Sequence, residues 1–277
     1  MKITALELFH ISIPFAKPYH LSKIYGTLYD AHAVIIKIHT DDGVIGLGEA
    51  DPMVPFTKES PDDVMKVMHE TIAPYLIGQD PARIAMLESD LDRSVEEHLT
   101  ARGAVNMAMY DIIAKAKDVP VYTLIGGLRH VQVPLLFGVS SGTPDQDITT
   151  IEEQFDLGCR CFMLKMGTLP IADEIKRVVA VRNRFGDEIK LIVDANQGWE
   201  LVEALEFVDG ICDCQPDLIE QPIGRQEIDY LKQIRDRSTC ALSADESVES
   251  ISDAATLIKK LAVDVFSIKV SKNGGLD

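Results

Sequence analysis

Apolar residues recur at every second position over parts of residues 2–13 and 33–39. This is the spacing of β-strands that bury one face. Asp41-Asp42-Gly43 is a typical hairpin-turn sequence, and it leads into a third strand-like stretch at residues 44–49. The chain is therefore predicted to open with a small antiparallel sheet.

Two stretches beside these strands, residues 15–29 and 50–58, show neither a strand period nor a helix period. Both contain or follow prolines, which interrupt helices, so long loops are predicted. Loops of this kind are either solvent-exposed connections without a binding role or part of a lid over a binding site. The residues alone favour solvent-exposed connections without a binding role.

From residue 60 to residue 117 the apolar positions change to helical spacing. Ser60-Pro61-Asp62-Asp63 combines a capping residue, a proline at the first helical position and acids that suit the positive end of the helix dipole. Asp111 falls on or beside the apolar face of the last helix, where we expect a buried, hydrogen-bonded structural carboxylate. Gly126-Gly127 marks the predicted end of an N-terminal α+β domain, residues 1–127.

Beyond this boundary, strand-like and helix-like stretches alternate with short connections. This pattern favours an α/β domain with a parallel sheet, either open or closed, over residues 128–277. A closed TIM-type (β/α) barrel has eight strands. A six-strand barrel would expose a hydrophobic seam, so we expect the barrel to be truncated after strand six, with its C-terminal part absent from this chain. The six predicted strands are residues 133–139, 161–166, 189–194, 217–220, 241–245 and 265–270.

Acidic residues end three consecutive strands of this series. Asp194, Glu220 and Asp245 are separated by steps of 26 and 25 residues. The carboxyl ends of barrel strands meet at one mouth, and three close carboxylates require a cation among them. Oxygen ligands predict Mg²⁺, with Mn²⁺ as a substitute. Glu246 follows Asp245, and since side chains alternate along a strand only one of the two can point into the mouth; the residues leave open which one.

Lysines occupy the strands on either side of these acids. Lys165 ends the second predicted strand and Lys269 lies in the sixth. A partly desolvated ammonium beside a dication has a lowered pKa and can act as a general base. A metal that binds a substrate carboxylate stabilises the dianion formed when the neighbouring carbon loses its proton. Two lysines on opposite faces could then remove one proton and deliver another.

Composition limits the kinds of partner and the cellular compartment to be expected. The chain has 27 basic and 44 acidic residues and a formal net charge of −17, which argues against nucleic acid or an anionic membrane surface as a partner. Residues 1–15 contain no unbroken apolar run of the kind found in a secretory signal, so none is expected, and no later apolar run is long enough to span a membrane. We therefore expect a cytoplasmic protein whose five cysteines are structural thiols.

Taken together, these motifs resemble one known family. Lys165, Asp194-Ala-Asn196, Glu220-Gln-Pro, Asp245-Glu-Ser and Lys269 with Asn273-Gly-Gly are similar to the enolase superfamily, in particular to the muconate lactonizing subgroup of the mandelate racemase and muconate lactonizing enzyme family. The resemblance covers the whole chain, because the N-terminal sheet and helices match that family's capping domain. It implies a TIM-type barrel, Mg²⁺ on Asp194, Glu220 and Asp245, and Lys165 with Lys269 as the acid/base pair.

The same resemblance implies supporting roles. Asn196 and Glu246 become candidates for holding the ligands and orienting the lysines. The stretches 15–29 and 50–58 become a substrate lid, which reverses the interpretation from the residues alone. The candidate lid contacts are Tyr19, His20, Tyr25 and Phe56.

Two details separate this chain from parts of the family. All histidines lie at or before His130, which disfavours the variant that uses a histidine–aspartate dyad. Subgroup members usually carry Lys-x-Lys at the end of the second barrel strand, whereas this chain has Met163 at the first position. We expect Lys165 to rely on the metal and burial alone, with a pKa higher than is usual for the subgroup.

The implied activity is that of a Mg²⁺-dependent isomerase, most simply a muconate-type cycloisomerase. The main alternative is a racemase or epimerase of amino-acid, N-acyl or dipeptide-like carboxylates. An acid-sugar dehydratase, a Schiff-base aldolase acting through Lys165 and a non-catalytic binding relative are further alternatives. The expected partner is a small-molecule carboxylate, and we expect assembly as a homo-oligomer.

Overall fold

The N-terminal strands are longer than the sequence pattern indicates. The computed structural model describes all residues 1–277. Its first sheet has the order β1 (Ile3–His20), β2 (Thr27–Thr40) and β3 (Ile45–Ala50), and β2 pairs with β3 antiparallel. The prediction of a loop over residues 15–29 was wrong, since only residues 21–26 lie between the strands. Prolines are tolerated in β1 because it is an edge strand, where a missing N–H breaks no ladder.

Helices complete the N-terminal part of the fold. Ser60 caps the first of them as predicted: its side chain accepts a hydrogen bond from the Asp63 N–H, and the Asp63 carboxylate accepts one from the Ser60 N–H. Residues 51–60 have no regular secondary structure, as predicted. The helices are α1 (Pro61–Val67), a π-helical turn (Met68–Ile72), α2 (Ala73–Leu76), α3 (Ile84–Ser94), α4 (Leu99–Ala116) and α5 (Val121–Leu124).

Two glycines let β3 approach the backbone of α4. A Cβ atom on Gly48 would lie 1.9 Å from the carbonyl oxygen of Ala104, and one on Gly46 would lie 2.2 Å from that of Ala108. Asp111 on the same helix accepts hydrogen bonds from the Leu47 N–H and from a lysine on the next turn. The predicted structural role of Asp111 is therefore confirmed, although its side chain is only partly buried.

Gly48→Ala is expected to destabilise the protein by about 1–3 kcal/mol, because the added methyl group forces strand and helix apart. Urea denaturation followed by circular dichroism measures the loss. Leu47→Ala, on the exposed face of the same strand, is the control and should change stability by no more than about 0.5 kcal/mol. Equal losses in the two variants would contradict a close approach of β3 and α4.

The remainder of the chain forms the predicted parallel sheet of six strands, in sequential order. Apolar residues of its strands and helices form one continuous buried core. The strands are β4 (Leu136–Val139), β5 (Cys161–Lys165), β6 (Lys190–Asp194), β7 (Leu218–Glu220), β8 (Leu242–Ala244) and β9 (Val265–Phe266). The helices are α6 (Pro144–Asp156), α7 (Ile171–Phe185), α8 (Leu201–Gly210), α9 (Ile228–Arg237) and α10 (Ile251–Lys260), with a short 3₁₀ turn at Gly186–Glu188.

The prediction that Lys269 lies within the sixth barrel strand was wrong. β9 ends at Phe266, three residues earlier. The Asn273 side chain accepts a hydrogen bond from the Lys269 N–H at 3.0 Å, and the Asn273 N–H donates to the Lys269 carbonyl at 2.9 Å. These local bonds turn the backbone at Lys269 and so end the extended conformation.

Two compact units are present. One contains residues 1–16, 30–131 and 269–277, and the other contains residues 17–29 and 132–268. The segment 17–29, which belongs to the predicted lid, is thus part of the unit that carries the parallel sheet. No helix has both the length and the apolar character needed to cross a membrane.

Candidate active site

Strand register brings the predicted functional residues of the parallel sheet side by side. Lys165 pairs with Asp194 across β5 and β6, and Asp194 pairs with Glu220 across β6 and β7. Glu220 pairs in turn with Ser243, two residues before Asp245. The three carboxylate residues are buried, with exposed fractions of 1% for Asp194, 6% for Glu220 and 1% for Asp245.

Asp194 is bound on both of its oxygens. Its Oδ1 accepts a hydrogen bond from the Asn196 N–H at 2.9 Å, and its Oδ2 lies 2.5 Å from the Lys165 ammonium. Burial is the largest influence on the pKa of Lys165 and lowers it, but the charge of Asp194, the charges of Tyr19 and Glu220 and the hydrogen bond to Asp194 together outweigh burial, and the pKa is raised. Lys165 is therefore an ammonium in this arrangement, whereas the sequence argument for a lowered pKa assumed a dication beside it.

Two side chains that the sequence argument did not single out support the next two acids. The Ser267 hydroxyl donates a hydrogen bond to Glu220 Oε2 at 2.9 Å. The fully buried Gln221 accepts hydrogen bonds on Oε1 from the backbone N–H groups of Asp245 and Ser247, both at 3.0 Å. Gln221 therefore holds the turn that carries Asp245. The sequence feature that could have identified Gln221 is its position directly after Glu220, the acidic end of a predicted strand.

Glu246 and Asn196 are buried beside this cluster. Burial, followed by the charges of Asp194 and Asp245, raises the pKa of Glu246 to about 7. Glu246 Oε1 accepts a hydrogen bond from the Tyr25 hydroxyl at 2.8 Å. Glu246 Oε2 and Asn196 Oδ1 are buried and have no hydrogen-bond partner. Such atoms are unusual in native proteins and are common at functional sites.

The donor set fits a hard divalent cation. Asp194, Glu220 and Asp245 present only carboxylate oxygens, which are the ligands that Mg²⁺ and related ions prefer. Burial is the largest cause of the raised pKa of Glu246, and the charges of Asp194 and Asp245 add to it, so these two carboxylates oppose a further negative charge beside them. As the side chains stand, no three of them enclose a common point, and the Lys165 ammonium lies on one oxygen of Asp194. A bound cation would require this ion pair to adjust.

The candidate lid residues separate into two groups. Tyr19, His20 and Tyr25 lie in the same unit as the carboxylates, whereas Phe56 and Lys269 lie in the other. The His20 N–H donates to the Ser140 hydroxyl at 2.8 Å, and burial is the largest cause of a raised pKa at Tyr19, which the charge of Lys165 opposes. The Lys269 ammonium lies 4.5 Å from the centre of the Phe56 ring, a cation–π contact.

A buried ion pair beneath β5 was also absent from the sequence prediction. Arg177 binds both oxygens of Asp147, at 2.7 and 3.0 Å, and donates to the Lys165 carbonyl at 2.7 Å. Arginine and aspartate thirty residues apart on amphipathic helices give no signal of this kind, because most such residues are exposed. The pair fixes the backbone that presents Lys165.

Comparison with known proteins identifies the family. Residues 4–126 match the model of the mandelate racemase / muconate lactonizing enzyme N-terminal domain, and residues 148–277 match an enolase C-terminal domain-like model. The chain is 34% identical to an N-succinyl-L-Arg/Lys racemase of Bacillus cereus, over 100% of this chain and 74% of the relative. It is 32% identical to muconate cycloisomerase 1 of Acinetobacter baylyi, over 98% of this chain and 74% of the relative.

Solved structures agree with these matches. A dipeptide epimerase of Enterococcus faecalis, complexed with Mg and the dipeptide L-Leu-L-Tyr, aligns with a TM-score of 0.94 and 30% identity, over 99% of this chain and 76% of that chain. The relatives are isomerases with TIM-type barrels, so the predicted fold class and enzyme class are confirmed. This chain belongs to the mandelate racemase and muconate lactonizing enzyme family of the enolase superfamily.

Proposed function

We propose that this protein transfers a proton at the carbon next to a substrate carboxylate, with Mg²⁺ held by Asp194, Glu220 and Asp245 and Mn²⁺ as a substitute. The observation that carries the proposal is the partly buried Lys165 ammonium, 2.5 Å from Asp194 and in register with two carboxylate strand ends. When bound, the cation supplies positive charge that offsets the negative charge developing on the substrate carboxylate.

Lys165 moves the proton in this proposal. Its Nζ carries a proton that can be delivered to a substrate carbon, and it can take one back once the charge of Asp194 is compensated. Gln221 and Ser267 keep the carboxylates of β7 and β8 in position. Lys269 is assigned as the opposite acid or base by the family resemblance alone.

Cycloisomerisation of a muconate-type dicarboxylate is the first candidate reaction, because it chiefly requires one proton donor to the enolate carbon and Lys165 carries that proton. Racemisation or epimerisation of an amino-acid or dipeptide-like carboxylate is the second. It is favoured by the 34% identity to an N-succinyl-L-Arg/Lys racemase over the whole chain.

Nuclear magnetic resonance in D₂O with Mg²⁺ tests the proposal on muconates, N-acyl amino acids and dipeptides. Deuterium appearing at the α-carbon of recovered starting material supports racemisation, whereas deuterated lactone without exchange in the starting material supports cycloisomerisation. If neither deuterium incorporation nor product formation occurs with any of these carboxylates, the proposed function is wrong.

Met163→Lys is expected to shift the pH dependence of kcat. Residues 163 and 165 point to the same face of β5, so a second ammonium would lie beside the first. Like charge lowers the pKa of Lys165, and the limb that follows its deprotonation should move to lower pH by about one unit. Met163→Leu is the control and should leave the profile unchanged. An unchanged limb in the lysine variant would show that Met163 does not set this pKa.

A further inference from the structure

A single tyrosine hydroxyl joins two loops of the barrel. Tyr25 donates to Glu246 Oε1 at 2.8 Å and accepts a hydrogen bond from Gln197 Nε2 at 2.7 Å. Gln197 follows β6 and Glu246 follows β8, so the hydroxyl bridges the loops after two strands that bear acidic ends. Gln197 is fixed in turn, because its Oε1 accepts the Arg225 N–H at 2.9 Å.

Burial makes this bridge strong. Tyr25 has an exposed fraction of 9% and Glu246 of 2%. A hydrogen bond to a buried carboxylate is stronger than one between neutral groups, and a buried acceptor without its donor is costly. Since Glu246 Oε2 has no partner, the Tyr25 hydroxyl is the side-chain donor that fixes the orientation of this carboxylate.

The turn that carries Tyr25 has further anchors on the same unit. The Ser22 hydroxyl donates to the Asn196 carbonyl at 2.9 Å, and the Lys23 N–H donates to the Gly167 carbonyl at 3.0 Å. The Thr168 hydroxyl donates to the Leu21 carbonyl at 3.0 Å. These three bonds reach the loops after β5 and β6. Only the bridge from Tyr25 reaches the loop after β8, and it does so through a charged acceptor.

We infer that Tyr25 is a positioning residue, which latches residues 21–26 over the carboxylate ends of the strands and holds Glu246 in one orientation. In this inference the site binds substrate when residues 21–26 are held in the latched position. The kinetic part of this inference rests on the proposed function, whereas the structural part does not.

Tyr25→Phe keeps the ring and removes only the hydroxyl. Tyr29→Phe is the matched control, because Tyr29 lies just beyond residues 21–26, near the start of β2, and is 67% exposed. Hydrogen exchange followed by mass spectrometry is measured on peptides covering residues 17–29 and 244–249. We expect exchange to accelerate about ten- to a hundredfold in Tyr25→Phe, and by no more than about twofold in Tyr29→Phe. Peptides from α3 should exchange as in the wild type.

Steady-state kinetics on the substrate found above provide the second readout. If the latched segment is less populated, the apparent affinity falls by that fraction while the saturated enzyme is unaffected. Exchange follows the ratio of unlatched to latched forms, whereas KM follows one plus that ratio, so KM should rise by a smaller factor than the exchange rate, with kcat kept. Unchanged exchange in residues 17–29, or a fall in kcat at constant KM, would overturn the inference. Failure to find any substrate would refute the proposed function, and the exchange data would still decide whether Tyr25 is a latch.

Discussion

Lys165→Met is expected to lower kcat by about 10³- to 10⁴-fold on any substrate of this enzyme, since the variant has no group to move the proton. Methionine keeps the length and most of the apolar stem of the side chain. The Lys165 ammonium is the one ionic partner of Asp194 in the structure, so the metal-free variant should also lose some stability. Stopped assays with Mg²⁺ present, together with thermal unfolding, measure the two effects.

Lys190→Met is the matched control for this loss. Lys190 begins the neighbouring strand β6 and forms an exposed ion pair with Asp217 at 2.8 Å, at the opposite ends of the strands. Its removal should leave kcat within about twofold, because exposed pairs contribute little. Activity of Lys165→Met within tenfold of the wild type would mean that another group moves the proton.

Arg177→Met is expected to destabilise the protein by about 3–5 kcal/mol, because it leaves the Asp147 carboxylate buried without its partner. Both residues are almost fully buried, with exposed fractions of 0% for Arg177 and 1% for Asp147. Burial raises the pKa of Asp147 even with the arginine present. Without it the pKa rises further, so the deficit should be largest above that pKa and shrink as falling pH neutralises the carboxyl.

Urea denaturation at pH 5 and pH 8 measures this dependence. Arg184→Met is the control on the same helix, since its ion pair with Glu152 is exposed, and a loss below about 1 kcal/mol is expected. Adding Asp147→Leu to Arg177→Met should restore much of the stability. A deficit that is independent of pH and is not reduced in the double variant would contradict the buried-charge explanation.

The barrel strands and their acidic ends were predictable because each is a local feature. An apolar run of strand length that ends in a carboxylate at a repeated spacing carries its own signal. The structure accordingly pairs Asp194 with Glu220, and Lys165 with Asp194, as the predicted strand ends require. The lengths of β1 and β2 were not predictable, because prolines and polar residues oppose strand formation in general and are tolerated here only through an edge position.

The bonds that organise the site depend on residues far apart in the sequence. Tyr25 and Glu246 are 221 positions apart, and Arg177 meets Asp147 only after two helices pack together. The backbone conformation of the site could not be predicted either. Three residues there have a positive φ: 43° at Asn196, 63° at Gln197 and 33° at Gln221. Left-handed backbone at residues other than glycine costs about 1–2 kcal/mol each and has no clear sequence signature.

Binding of Mn²⁺ to the metal-free protein, followed by electron paramagnetic resonance, tests whether the three strand-end carboxylates form a metal site. If Asp194, Glu220 and Asp245 form one cation site, the wild type binds one Mn²⁺ per chain and Mg²⁺ displaces it. Glu220→Gln should weaken Mn²⁺ binding by more than about a hundredfold. Loss of a residue that only hydrogen-bonds to a metal ligand already weakens metal affinity by about 10- to 100-fold. Asp236→Asn removes an equal charge at an exposed ion pair and should bind as the wild type does. Equal Mn²⁺ affinity in Glu220→Gln and the wild type would contradict the account.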